Sequence, residues 1–307
     1  MIKKYRIEEG RITETPVNEQ IVVLVNPDDN EKEFVLGNYE IDPHNFSSSL
    51  DPEEPARVEF ENNHFEVIFK RPKNYSSRDH FLFKVSSLGL FLFEEKLVIV
   101  ISEDVNIFSG KYFNHVSGVR EVFLKVLYNS IYHFIEHLKI INMIADEIET
   151  KINKSMGNKY LLHMFTLEKS LVYYVSAISS NSFVLEKIRN QGLKTKFSEK
   201  SQEFMADLII ENNQAKGQAD VYSQVFAGLM DARASIINNN MNVWLKNLTI
   251  LTIAINVPNF FASMGGMSEI TTVTGISNPR TAHIAFLIFA FLVGAIVYLI
   301  FKKVEKR

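Results

Sequence analysis

The chain has 307 residues, 46% of them hydrophobic, and a net charge of −3. That length and apolar content support a sizeable core and more than one domain, while the near-neutral balance gives no reason to expect a nucleic-acid partner. There is no cysteine, which excludes disulfides, thiolate metal sites and cysteine nucleophiles together.

The N-terminus, "MIKKYRIEEGRITE", has no apolar core and does not read as a secretory signal, so the body of the chain is expected in the cytosol. Up to about Ser109 the sequence reads as strands. "ARVEFENNHFEVIFK" sets Asn62-Asn63 between β-rich arms, a hairpin signal, and "SLGLFLFEEKLVIVIS" repeats it around Glu94-Glu95-Lys96. The proline- and serine-punctuated "IDPHNFSSSLDPEEP" predicts a short helix between strands. Residues 1–110 are therefore expected to form a cytosolic α/β domain with a mostly antiparallel sheet.

From about Ser117 the period changes. Leu127, Ile131, Phe134, Leu138, Ile141, Ala145, Ile148 and Ile152 recur at alternating spacings of four and three, which predicts a long helix packed along another. Gly157-Asn158 breaks it, and a second helix is predicted from about Tyr160 to Asn190. A third starts at Ser198, a good N-cap followed by Glu199, with Phe204, Leu208, Ala215, Tyr222, Val225 and Leu229 as its apolar side. No proline interrupts it before Pro258. Continuous to Met264, it would run about 100 Å at 1.5 Å per residue, a stalk that becomes a membrane span. Residues 111–246 are assigned to this helical stalk. Within it, "HFIEH" (His133 to His137) matches an H-x-x-E-H zinc-peptidase pattern. The pair flanks the Phe134/Leu138 seam without a convincing third ligand, so both histidines are expected to be solvated bystanders.

Residues 247–307 form the expected membrane region. Leu248 to Met264 contains no ionisable residue, and Ile284 to Phe301 is nearly pure Ala, Phe, Leu, Ile and Val. Each has the short end of the length a spanning helix needs, and the second is apolar on every face, unlike most core helices. Lys246 precedes the first stretch; Lys302, Lys303, Lys306 and Arg307 follow the second; Glu269 and Arg280 are the charges between Gly265 and His283. Positive charge stays inside, which predicts a multi-pass hairpin in the plasma membrane with both termini cytoplasmic.

The first of these stretches is unusually polar. Asn242, Leu245, Thr249, Thr252, Asn256, Asn259, Ser263 and Gly266 follow one another at spacings of three and four, and all but Leu245 are polar or lack a side chain. A hydrophilic face at that depth must look at protein or at water. Two readings compete: interhelical glue made of small and polar residues, or the lining of a water-filled path ringed by several copies. Six polar side chains on one stripe favour the path. Its neutral oxygens suit a hard cation that keeps its waters, as Mg²⁺ does, better than a soft metal.

These residues carry a resemblance. "NNNMNVWLKNLTILTIAINVPNFFASMGGMS" is similar to the first span of the CorA family of magnesium transporters, with its Leu-Lys-x-Leu-Thr entry and mid-helix proline. "TLEKSLVYY" and "LMDARASIINNNMN" resemble family stalk segments, and "PARVEFENNHFEVI" a cytosolic strand pair. The resemblance implies a pentameric channel: a cytosolic α/β domain, a funnel of stalk helices and two spans per subunit. Where the family has Tyr-Gly-Met-Asn, this chain has Gly265-Gly266-Met267-Ser268. By that resemblance Gly266, Met267, Ser268 and Glu269 form the selectivity mouth, with a serine where an asparagine ring would meet the hydrated ion. The resemblance also places Asp207 where the family has a stalk aspartate binding a regulatory Mg²⁺ between subunits.

The expectation is thus an α+β membrane protein, and no enzyme. It comprises an N-terminal cytosolic α/β domain, a long helical stalk and two C-terminal transmembrane helices, assembled as an oligomeric funnel. Its partners are further copies of itself, the lipid bilayer and divalent cations, with Mg²⁺ transported and regulatory. The alternatives are a family member moving Zn²⁺ or another divalent ion, and a non-conducting, membrane-tethered helical oligomer.

Overall fold

The computed structural model describes residues 1–75, 81–154, 158–265, 272, 275–276 and 278–305. The chain packs as two units, Met1–Met230 and Asp231–Arg307.

The first unit is built on one seven-stranded sheet. Its strands are β1 (Ile2–Glu8), β2 (Arg11–Glu14), β3 (Ile21–Val25), β4 (Arg57–Phe60), β5 (Phe65–Pro72), β6 (Val85–Leu92) and β7 (Leu97–Ile101). They lie in the order β2-β1-β3-β7-β6-β5-β4. Every pairing is antiparallel except β3 with β7. Both predicted hairpins are present: Phe60 pairs with Phe65 across Asn62-Asn63, and Leu92 pairs with Leu97 across Glu94-Glu95-Lys96.

Strand β3, "IVVLV", is buried at every position because both faces of the sheet are covered. Val22, Leu24, Val98 and Val100 face α1 (Asp29–Tyr39) and α2 (Pro43–Ser48), packing on Val35 and Phe46. The alternate residues Ile21, Val23, Leu97 and Ile99 pack into a larger core with the long helices. Helix α2 is the one predicted in "IDPHNFSSSLDPEEP", capped by Asp42 with Pro43 in its first turn. Helix α1 was not predicted. It starts in a capping box, where Asp28 accepts from Glu31 N and Glu31 reaches back to the cap.

The long helices are α3 (Val119–Lys154), α4 (Asn158–Asn190) and α6 (Glu199–Gly265), with the single turn α5 (Gly192–Thr195) before the last. On α3 the predicted stripe from Leu127 to Ile148 is buried throughout. The Ile152 side chain lies outside the described residues. Helix α6 is one continuous element of 67 residues, and the Ser198 hydroxyl accepts from Ser201 N at 3.2 Å, as its N-cap role requires. One core position differs from expectation: Val225 is exposed, and Phe226 is buried in its place. At 3.6 residues per turn the buried face drifts against a strict heptad, and by this point it has moved one residue along.

Helix α4 is tied to the sheet by side chains. Strand β4 stops pairing at Arg57–Ile68, so β5 presents an unpaired edge beyond it. There Lys70 N donates to Asn181 Oδ1 at 2.8 Å, and Asn181 Nδ2 donates to Lys70 O at 2.9 Å. Ser170 Oγ accepts from Phe83 N at 3.0 Å in the same way.

The second unit contains the C-terminal part of α6 and helix α7 (Pro279–Glu305). Among the described residues one helix, Pro279–Lys303, is long and apolar enough to cross a membrane.

Candidate functional site

The polar stripe of α6 is brought onto one face, as its spacing predicts. Asn242, Leu245, Thr249, Thr252, Asn256, Asn259 and Ser263 are all exposed in the single chain. The opposite side holds the buried residues Ile250 and Ala254. At 3.6 residues per turn, Ala254 and Pro258 lie about 160° around the helix from Asn256.

That opposite side is where α7 packs. A Cβ added to Gly294 would sit 2.9 Å from the Ala254 carbonyl oxygen and 3.4 Å from Pro258 Cγ. Pro258 has no N–H, so it is the Ala254 carbonyl, four residues back, that loses its helical partner. The bare glycine brings α7 close beside that carbonyl, the small-residue approach by which apolar helices pack. Ala254, Pro258 and Gly294 thus form a close contact between α6 and α7, on the side away from the polar stripe. The sequence reading named Pro258 but missed Gly294. A lone glycine inside an otherwise bulky apolar run was the available signal.

The stripe's chemistry is that of acceptors. The Thr249 hydroxyl donates to Leu245 O and the Thr252 hydroxyl to Leu248 O, each at 2.8 Å. With their hydrogens turned into the helix, both oxygens offer lone pairs outward. Asn256 and Asn259 make no side-chain hydrogen bond among the described residues, so their amides remain available. Acceptor oxygens suit a water molecule that donates, as a metal-bound water does. The mouth residues Gly266, Met267, Ser268 and Glu269 lie outside the described residues.

Asp207 is exposed on α6 in the first unit, and among the described residues it forms no hydrogen bond or ion pair. Among the described residues no group of three or more His, Asp or Glu side chains is placed to hold a metal ion.

Of the histidines of "HFIEH", His137 is not solvated and His133 is only partly so, contrary to expectation. His137 is buried, with Nδ1 2.6 Å from the Tyr174 hydroxyl and its ring against Phe83. His133 is half-buried, 4.3 Å from the His137 ring centre to centre. Burial, reinforced by His133 and Arg71, pushes His137 down to about 3, and burial with Arg71 pushes His133 down to about 4. Both are neutral at pH 7. His137 is a core residue with its partner in place, which disposes of the peptidase reading.

The family model described as "CorA-like Mg2+ transporter protein" matches residues 20–303. The chain belongs to this family. As a CorA-like protein it is a membrane transport protein for divalent cations rather than an enzyme. A curated relative, the cobalt/magnesium transport protein CorA of Methanocaldococcus jannaschii, is 24% identical over 264 residues, covering 81% of this chain and 80% of its own. The complete structure of the CorA magnesium transporter from that organism superposes with a TM-score of 0.74 at 19% identity, over 100% of this chain and 96% of that one. The full-length CmaX protein matches with a TM-score of 0.70 at 12% identity, over 99% and 97% of the two chains. The α/β unit, the long helix and the apolar C-terminal helix are thus the CorA fold.

Proposed function

We propose that this CorA-like protein is the subunit of a homo-oligomeric channel, a pentamer, that passes Mg²⁺ as a hydrated ion through the plasma membrane. In this reading Leu248–Met264 and Ile284–Phe301 both span the bilayer, with both termini cytoplasmic. The regions are a cytosolic domain over 1–110, a stalk over 111–246 and a transmembrane hairpin over 247–307. The stripe from Asn242 through Ser263 lines the path, and Gly266, Met267, Ser268 and Glu269 form its mouth.

The observation that carries the reading is the division of labour on α6. Ala254 and the Pro258 ring meet Gly294 of α7, while the seven stripe residues stay exposed on the opposite face. Polar groups exposed at membrane depth are costly unless they meet water or another subunit. A ring of copies supplies both. Hydroxyl and amide acceptors would hold the outer waters of a cation that dehydrates reluctantly, which favours Mg²⁺ over a soft metal.

A second reading rests on residue 268. Serine presents a shorter reach than asparagine and no carbonyl acceptor, so the mouth should grip the hydrated shell less firmly and discriminate less among divalent ions, Zn²⁺ included. Flux into liposomes holding the purified protein, with Mg²⁺, Zn²⁺, Co²⁺ and Ni²⁺ compared, separates the two. Preference for Mg²⁺ that sharpens in Ser268→Asn supports a serine mouth. A sharp preference already present in the native protein, unchanged in Ser268→Asn, would take residue 268 out of selection. No flux of any divalent ion would sink the channel reading.

A further inference from the structure

A polar cavity in the first unit is used by none of the features above. Its volume is about 270 Å³, slightly below the range of drug-sized sites and roomy enough for a small polar ligand. Strand β5, the loop after β7 and helix α3 enclose it, with Arg71, Asn74, Asn106, Ser109 and His133 among its walls.

Arg71 is the feature that needs explaining. It is 8% exposed, and among the described residues its guanidinium forms neither a hydrogen bond nor an ion pair. Burial lowers its pKa and nearby Glu103 partly offsets this, but the Glu103 carboxylate is already taken by Lys73 Nζ at 2.8 Å. A buried charge without a close partner is strongly unfavourable, and a guanidinium offers five N–H groups in a fork matched to oxyanions. Three other polar walls are free to donate, beside the apolar Leu88, Ile107 and Val126. The Asn74 and Asn106 amides and the Ser109 hydroxyl make no side-chain hydrogen bond among the described residues, whereas Ser130 Oγ already donates to Val126 O at 3.0 Å and Asn129 Nδ2 to Ile107 O at 3.2 Å. Among the described residues Glu136 is the one acidic wall residue, and it is exposed on the rim, as are Asn74, Asn106 and Ser109.

We propose that this cavity is a binding site for a small oxyanion, a phosphate or carboxylate group, held bidentately by Arg71 and by the amide and hydroxyl donors around it. The neutral state of His133 fits the role. Its neutral ring can donate one N–H to the bound oxygen. The Glu136 carboxylate opposes the anion and limits affinity.

The test is isothermal titration of the full chain in detergent with inorganic phosphate and, separately, with acetate. Sodium chloride holds the ionic strength constant. Saturable binding of at least one anion is expected, and the tighter of the two names the group. Arg71→Gln should abolish it. Glu136→Gln, at an exposed position that leaves folding alone, should tighten it about threefold, the effect of removing one unit charge several ångströms away in a solvated rim. No saturable binding of either anion by the native protein would overturn the proposal. So would binding that survives Arg71→Gln. If Arg71→Gln does not fold, an affinity unchanged in Glu136→Gln overturns it instead.

Discussion

Replacing Asn181 by leucine tests how α4 is fastened to the sheet. The side chain is fully buried and serves as the missing partner for the edge of β5, accepting from Lys70 N at 2.8 Å and donating to Lys70 O at 2.9 Å. Leucine keeps the branching at Cγ and is the larger side chain, so no cavity confounds the result and its added bulk only adds to the loss. It leaves one backbone N–H and one C=O buried and unpaired, at about 1–3 kcal/mol each, or about 2–6 kcal/mol together. Partial relief comes from the apolar burial of the leucine itself. For a unit of this size about 2–4 °C of Tm goes with each kcal/mol, so thermal melting followed by circular dichroism should fall by at least about 5 °C. Asn181→Asp should be no milder, because it keeps the acceptor but turns a buried carboxylate toward the Lys70 carbonyl. A drop below about 2 °C in both variants would mean that the two bonds do not carry the junction.

Gly294→Leu should loosen the hairpin, because its first added carbon already meets the Ala254 carbonyl at 2.9 Å; overpacking of about 1–3 kcal/mol should appear as earlier loss of the monodisperse species on heating in detergent. Gly37→Ala, in open space on α1, should instead be neutral or stabilise by up to about 1 kcal/mol. Acid should destabilise the first unit through its histidines: His133 and His137 are pushed to about 4 and about 3, so below the unfolded value of about 6.5 the unfolded chain takes up protons that the folded one refuses. Stability contributed by the neutral rings is therefore complete above pH 6.5 and lost as pH falls through about 4 and about 3. His133→Gln, compared in phosphate-free buffer, should shrink the loss between pH 7 and pH 5 by about 1 kcal/mol after allowing for the ring's partial exposure. Asp207→Ala should abolish protection of the stalk from protease by millimolar Mg²⁺; equal digestion with and without Mg²⁺ in the native protein would remove Asp207 as a regulatory ligand.

The elements most legible in the sequence are those whose signal is local and periodic. The apolar stripe from Leu127 to Ile148 needed only spacing, and so did the polar one on α6. Helix α1 escaped because it buries a single hydrophobic residue, Val35; its signal was the Asp28–Glu31 capping spacing, not a stripe. The misplacement of Val225 has the opposite cause. A pattern that holds for a few turns was extended past the point where 3.6 residues per turn departs from 3.5. What sequence could not yield is burial set by partners remote in the chain. His137 lies against Phe83 and Tyr174, and Arg71 is shut in by a loop and helix more than 30 residues further on. The polar stripe was legible as a face; that the opposite side carries the hairpin contact needed Gly294 and Ala254 in one place.

The central claim is that the exposed polar face of α6 lines the ion path. Mg²⁺ flux into liposomes bearing Asn256→Leu, alongside native protein and after the oligomer mass of both has been measured, tests it most directly. An apolar ring at that depth should stop flux while the assembly keeps its mass. Unchanged flux through an assembly of unchanged mass would contradict the account, and the stripe would then be an adhesive face between helices rather than a pore.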